Sequence, residues 1–156
     1  EDVVSLGVNH IHGDQGDPSF WEKTIYPELG DTKFDFIIED GSHFPHDMLT
    51  TFVKAVDLLK PGGYYFMEDI QDPCTSFGAY GYDNRCVYCM IQEFRDRGDF
   101  GKIHGVSPVS PEEEELLAAS KKLEFVEMYH GGPKTTRTLL AVFRRKAEPI
   151  KWDLFK

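Results

Sequence analysis

Positive charge is scarce in this sequence: 17 Lys and Arg stand against 27 Asp and Glu, a formal net charge of −10. Such a field repels phosphate backbones and anionic membrane surfaces, so nucleic acid is not an expected partner. The one short basic run, Arg144-Arg145-Lys146, reads as the solvated end of a strand. No stretch is long and apolar enough to span a bilayer, and Glu1-Asp2-Val3 has neither the basic start nor the apolar centre of a signal peptide. No membrane partner is expected, and the chain reads as a soluble, cytoplasmic protein. Cysteine is also sparse. Three are present, an odd number that cannot form a complete disulfide framework within one chain, so a reducing compartment is the simpler expectation. Cys86-Val87-Tyr88-Cys89 has CxxC spacing, and Cys74 with a histidine could complete a zinc site. On a helix that spacing is merely one turn, and with no second pair we assign it no metal.

What the sequence does hold is enough apolar material for one core: 40% hydrophobic residues and 13% aromatics in 156 residues. A single domain over 1–156 is expected. Strand-like and helix-like segments alternate, which argues for an α/β layer architecture. Val3 to Val8 suits a strand. Gly13-Asp14-Gln15-Gly16-Asp17-Pro18 is turn chemistry ahead of a helix around Ser19 to Leu29, with Phe20 and Trp21 packing inward. Phe34 to Ile38 suits a strand buried on both faces of a parallel sheet, ending at Glu39-Asp40-Gly41. From Asp47 to Lys60, Met48, Leu49, Phe52, Val53, Val56 and Leu59 recur at helical spacing. Lys60-Pro61-Gly62-Gly63 should stop that helix, and Tyr64 to Met67 should run as the next strand, parallel to the first and ending at Glu68-Asp69.

Farther on, Asp72 to Asp83 is rich in Gly and aromatics without a period, which fits either a flap over a site or a packed surface loop. Within it, Phe77, Tyr80 and Tyr82 could stack on a ring, though core packing is their default. Asn84 to Arg97 reads as a helix, and Ser110-Pro111-Glu112-Glu113 as the start of another. Leu123 to Tyr129 and Thr138 to Phe143, joined through Gly131-Gly132-Pro133, read as a closing antiparallel hairpin.

The chemistry gathers where the two parallel strands should end. Asp40 at one strand end and Glu68-Asp69 at the next can offer three hard oxygen ligands to one small cation, which favours Mg²⁺ over Zn²⁺. Acids at strand ends also cap helices or simply meet solvent, and consecutive residues of a strand point to opposite faces. Glu68 and Asp69 can therefore converge only if the chain turns there. His43, three residues after Asp40, is placed to act as a general base, because imidazole titrates near neutrality and a hydroxyl bound to Mg²⁺ gives up its proton more easily. A helix-start histidine bonded to backbone is the plainer alternative. Pro45 suggests that His46 sits at a helix entrance as a surface or packing residue.

Ile38-Glu39-Asp40-Gly41-Ser42-His43, then Leu59-Lys60-Pro61-Gly62-Gly63, then Glu68-Asp69 resembles the macrocin and mycinamicin O-methyltransferase family, to which cephalosporin hydroxylase-like proteins are similar. The resemblance runs from about Gly13 to Asp69, and the final hairpin is similar to the end of the class I methyltransferase fold. It implies a Rossmann-like sheet, mostly parallel with a C-terminal antiparallel hairpin. It also implies S-adenosylmethionine as methyl donor, Mg²⁺ held by Asp40, Glu68 and Asp69, His43 as the base, and a small-molecule acceptor such as a sugar or phenol hydroxyl. Gly13-Asp14-Gln15 is similar to the family segment beside the adenine, so Asp14, Gln15 and Asp40 are the implied contacts of the methyl donor. The family's glycine-rich loop after the first strand, and the acid on the second strand, have no counterpart. The expectation is thus the C-terminal part of a longer enzyme, with its N-terminal strands missing, weak cofactor binding and an open sheet edge prone to form homo-oligomers. A non-catalytic methyltransferase-like binding or regulatory protein is the alternative. A hydroxylase is a weaker one, since no two-histidine, one-carboxylate triad is evident.

Overall fold

The computed structural model describes residues 7–71, 87–98, 113–131 and 138–147. The first helix, α1, runs through Pro18–Phe20, a π-helical turn Trp21–Ile25 and Tyr26–Leu29. Asp17 caps it by accepting from Ser19 N at 2.8 Å, and Pro18 fills the first turn, where no amide hydrogen is needed. Strand β1 (Phe34–Glu39) leads to helix α2 (Pro45–Ala55), which tightens into a 3₁₀ turn at Val56–Leu58. Then come β2 (Leu59–Gln71), α3 (Val87–Arg97), α4 (Glu113–Lys121), β3 (Leu123–Gly131) and β4 (Thr138–Arg145).

The four strands form one sheet in the order β1-β2-β4-β3. β1 and β2 are parallel, with Phe36 opposite Tyr64 and Glu39 opposite Met67. β4 inserts between β2 and β3, antiparallel to both. The α/β expectation and the antiparallel end hold. Among the described residues, however, one strand pair is parallel and two are antiparallel, so "mostly parallel" does not describe this sheet. The α2 crossover joins β1 to β2, whereas β3 and β4 run as a hairpin whose second strand takes the position beside β2.

Side-chain alternation puts Tyr65, Met67, Ala141 and Phe143 on one face, where α2, α3 and α4 add Met48, Leu49, Phe52, Ile91, Phe94 and Leu116 to a single core cluster. Phe52 sits at its centre, edge-on to Tyr65 at 5.5 Å and to Phe143 at 5.7 Å. Truncating it to Ala would cost about 3–5 kcal/mol. The other face is open at β1: Phe36 is 62% and Ile38 63% exposed, so this strand is not buried on both faces as its composition suggests. The described helices that join the core cluster do so from the Tyr65 side, and no described helix covers Phe36.

Other boundaries shift for identifiable reasons. The second helix spans Pro45–Ala55 rather than 47–60, because Pro45 supplies its first turn and the chain tightens before the sheet. Lys60 to Gly63 lie inside β2 as an irregularity in its pairing with β1, between the pairs Phe34–Leu59 and Phe36–Tyr64. A Cβ on Gly63 would stand 2.9 Å from the Asp35 carbonyl oxygen, so glycine permits this close passage of one strand by the other. Gly7 and Val8 are not in a strand, and the rest of that expected strand lies outside the described residues. So do the 72–83 segment with its three aromatics, Ser110-Pro111-Glu112, and most of the turn joining β3 to β4. Trp21 is buried as expected, while Phe20 is half-buried, its ring against Gly13. Cys89, exposed on α3, is disulfide-bonded. That departs from the reducing-compartment expectation, and a cysteine so engaged offers no thiolate to zinc. No described helix is long and apolar enough to cross a membrane.

Candidate functional site

Because β1 and β2 are parallel and in register, the residues that follow Glu39 and Met67 emerge at the same end of the sheet. There the chain departs from regular geometry twice. In β2 the pairing with β4 slips between Met67 and Ile70, so that Glu68 and Asp69 share the space opposite Leu140. Asp69 takes a φ of +51°. A bulge of this kind re-aims a side chain, and it supplies the turn that Glu68 and Asp69 require in order not to point to opposite faces. In the loop after β1, His43 takes a φ of +61°. Among the described residues these are the two non-glycine positions with positive φ, and both belong to one cluster. Each costs about 1–2 kcal/mol relative to ordinary backbone, a cost that concentrates where side-chain placement matters.

The result is a small constellation. The His43 ring lies between two carboxylates, with Nε2 3.2 Å from Asp40 Oδ1 and Nδ1 3.7 Å from Asp69 Oδ2. One ligand atom from each of Asp40, His43 and Asp69 falls within 4.8 Å of the others. Two carboxylate oxygens and an imidazole nitrogen at that spacing suit a hard divalent cation, Mg²⁺ or Mn²⁺. Glu68, the third expected ligand, stands outside this mutually close group. All three are at least partly exposed, so solvent or a ligand can complete the coordination.

The turn carrying Asp40 and His43 is tied down from several sides. Ser42 Oγ donates to Asp47 Oδ2, and Phe44 N donates to Ser42 Oγ at 3.3 Å, which holds the loop against the first turn of α2. His46 donates from Nε2 to the Gly16 carbonyl at 3.0 Å, the packing role expected of it. The 13–17 segment is thereby brought beside the site. Asp14 Oδ1 accepts from Gly16 N at 2.8 Å, a local turn, while Gln15 Nε2 donates to Glu39 Oε1 at 3.0 Å. Asp14 and Gln15 do lie next to the Asp40 turn, but the Gln15 amide is engaged with protein.

Glu39 is the residue that pattern reading passed over. It is 2% exposed, and burial pushes its carboxyl above the ordinary glutamate value, against the lowering effect of bonds from Gln15 and Gly41. With Phe36 and Ile38 exposed, the inward partners on this strand are Ile37 and Glu39, an orientation that the apolar run alone does not mark. A carboxylate facing the core is the anomaly worth explaining.

The chain matches no protein-family model. It is 37% identical over 68 residues, 44% of its length, to mycinamicin VI 2''-O-methyltransferase of Micromonospora griseorubida. It is 35% identical over 94 residues, 57% of its length, to 8-demethyl-8-alpha-L-rhamnosyl tetracenomycin-C 2'-O-methyltransferase of Streptomyces olivaceus. Those matches span 16% and 23% of the two relatives' own lengths. In structure, 97% of the chain superposes on 37% of MycE methyltransferase from the mycinamycin biosynthetic pathway, solved with Mg and SAH, at a TM-score of 0.51 and 19% identity. The fold is therefore of methyltransferase type, and the likeness to the macrocin and mycinamicin O-methyltransferases holds over part of the chain.

Proposed function

We propose that this chain, similar over part of its length to sugar O-methyltransferases, forms part of one methyltransferase domain that carries out Mg²⁺-dependent methyl transfer from S-adenosylmethionine to a hydroxyl of a small metabolite, a sugar being the favoured acceptor. The observation that carries the reading is the approach of Asp40, His43 and Asp69 to within 4.8 Å at the joint end of two parallel strands. The relatives' names describe 2-hydroxyl methylation, and MycE was solved with Mg and SAH, which supports the same donor and ion here.

Asp40 and Asp69 would hold the ion, with Glu68, adjacent on the bulge, as a third ligand. When bound, Mg²⁺ would ease ionisation of the acceptor hydroxyl, and the donor's sulfonium would supply the methyl group. His43 is the base. Its Nε2 is held by Asp40, and with that nitrogen carrying its hydrogen the Nδ1, on the Asp69 side, can take the hydroxyl proton as the oxygen attacks. Asp14 and Gln15, with Asp40, border the place where the donor would lie, Gln15 through its backbone and surroundings rather than through a free amide.

The test is methyl transfer by the protein carrying this chain, with S-adenosylmethionine, Mg²⁺ and glycosylated acceptors. Activity should disappear with EDTA and return with Mg²⁺. His43→Ala should lower the rate by about 10²- to 10⁴-fold. Transfer that survives both treatments would overturn the reading.

A further inference from the structure

We propose that Glu39 is a positioning residue, a buried strut that fixes the turn bearing Asp40 and His43 against the segment bearing Asp14 and Gln15. The inference rests on the reading of Asp40, His43 and Asp69 as the metal and base cluster, and it assigns work to a side chain outside that cluster.

Burying a carboxyl group is costly unless bonds offset the loss of water. Glu39 is 2% exposed, and the bonds it makes are few and directed. Oε1 accepts from Gln15 Nε2 at 3.0 Å and from Gly41 N at 3.3 Å. Those two donors belong to segments that no strand ladder or helix connects. One is the loop before α1. The other is the turn after β1, whose neighbours on either side are Asp40 and, two residues on, His43.

The contact between the segments is close-packed as well as bonded. A Cβ on Gly41 would collide with Gln15 Oε1, and one on Gly16 with Asp47 Oδ1. Gln15 is itself fixed, because its carbonyl accepts from the Nε1 of buried Trp21 at 2.9 Å. A continuous path therefore runs from Trp21 in α1 through Gln15 and Glu39 to Gly41. It gives the strained turn of His43 a fixed reference in the core. Among the described residues Oε2 has no hydrogen-bond partner. The strut thus uses a single oxygen, and an amide of the same reach should serve where a hydrocarbon of similar size should not.

The experiment compares Glu39→Gln and Glu39→Leu in the full chain. Amide hydrogen exchange is followed at Gly41, Mn²⁺ binding by calorimetry, and Trp21 emission in a Trp152→Phe background. With Leu we expect faster exchange at Gly41, altered Trp21 emission and Mn²⁺ affinity lower by about 10- to 100-fold. With Gln all three should stay close to the unaltered protein. A folded Leu variant whose Gly41 exchange and Mn²⁺ affinity are unchanged would overturn the strut. If the unaltered protein binds no Mn²⁺, the metal reading fails separately, and the strut is then decided by exchange and emission alone. Should the Leu variant not fold, Gln15→Leu removes one arm of the strut from outside the core, and unchanged exchange at Gly41 in that variant would equally reject it.

Discussion

The two ends of the sheet treat their acids differently. Where β1 and β2 begin, the Asp57 carboxylate meets Lys122 Nζ at 2.6 Å and Arg145 NH2 at 3.8 Å. Arg145 NH1 also donates to the carbonyls of Val56, Asp57 and Leu59 at 3.1, 3.1 and 2.7 Å, and Lys33 caps the Asp57 carbonyl at 3.0 Å. Where the same strands finish, Asp40 and Asp69 share one imidazole, with Glu68 beside them, and among the described residues no Lys or Arg pairs with any of the three. The first end is closed by the protein's own cations and reads as scaffold. The second keeps a surplus of negative charge on strained backbone, an arrangement that a divalent cation would stabilise.

The largest way to break this contrast is to neutralise one acid at each end. Asp40→Asn should weaken Mn²⁺ binding by about a hundredfold or more, since even loss of a hydrogen bond behind a ligand costs about 10- to 100-fold. Asp57→Asn should leave Mn²⁺ affinity unchanged and cost only about 0.2–1 kcal/mol of stability, the usual range for exposed pairs. Titration calorimetry with thermal denaturation reads both, and equal metal affinities in the two variants would remove the distinction. Within the acidic end, Asp69→Asn should lower affinity more than Glu68→Gln, because the Asp69 carboxylate already faces His43. The reverse order would make Glu68 the principal ligand.

Much of this arrangement can be read without coordinates, and the parts that cannot are informative. Parallel β1 and β2 follow from two short apolar runs separated by a helix-length crossover, and that brings Asp40 to the same sheet end as Glu68-Asp69. Which of Glu68 and Asp69 faces His43 depends on a one-residue slip against β4, a partner more than 60 residues away, so local sequence carries no signal for it. The exposure of Phe36 and Ile38 is illegible for a related reason: an apolar run reports what a strand could bury, and burial depends on what packs over it. The same holds for Cys89, whose bonded state the odd cysteine count does not disclose.

At the scaffold end the contrast can be sharpened by removing a cation instead of an acid. Arg145→Leu removes a donor from three carbonyls, of which that of Asp57 keeps Lys33 and that of Val56 keeps the Leu59 amide, and it leaves the Asp57 carboxylate with Lys122. A loss of about 1–3 kcal/mol is expected, with Mn²⁺ affinity unaffected. Arg145→Lys should recover part of it, since charge returns but the planar fork does not. Denaturant unfolding measures both, and a fall in metal affinity with either variant would mean that the two ends are coupled.

The smallest effect concerns the buried acid that only one end possesses. Glu39 is held above the ordinary glutamate value of 4.5 chiefly by burial, so between that value and its folded one the native chain binds more protons than the unfolded chain. Stability contributed by this group therefore falls as pH rises through that window, and it stays low above it. Glu39→Gln cannot ionise. In metal-free buffer it should melt higher than the parent at neutral pH, and the gap should close as pH is lowered toward 4.5. A Glu39→Gln difference that is independent of pH would mean that burial does not raise this carboxyl, and that its bonds to Gln15 and Gly41 outweigh desolvation.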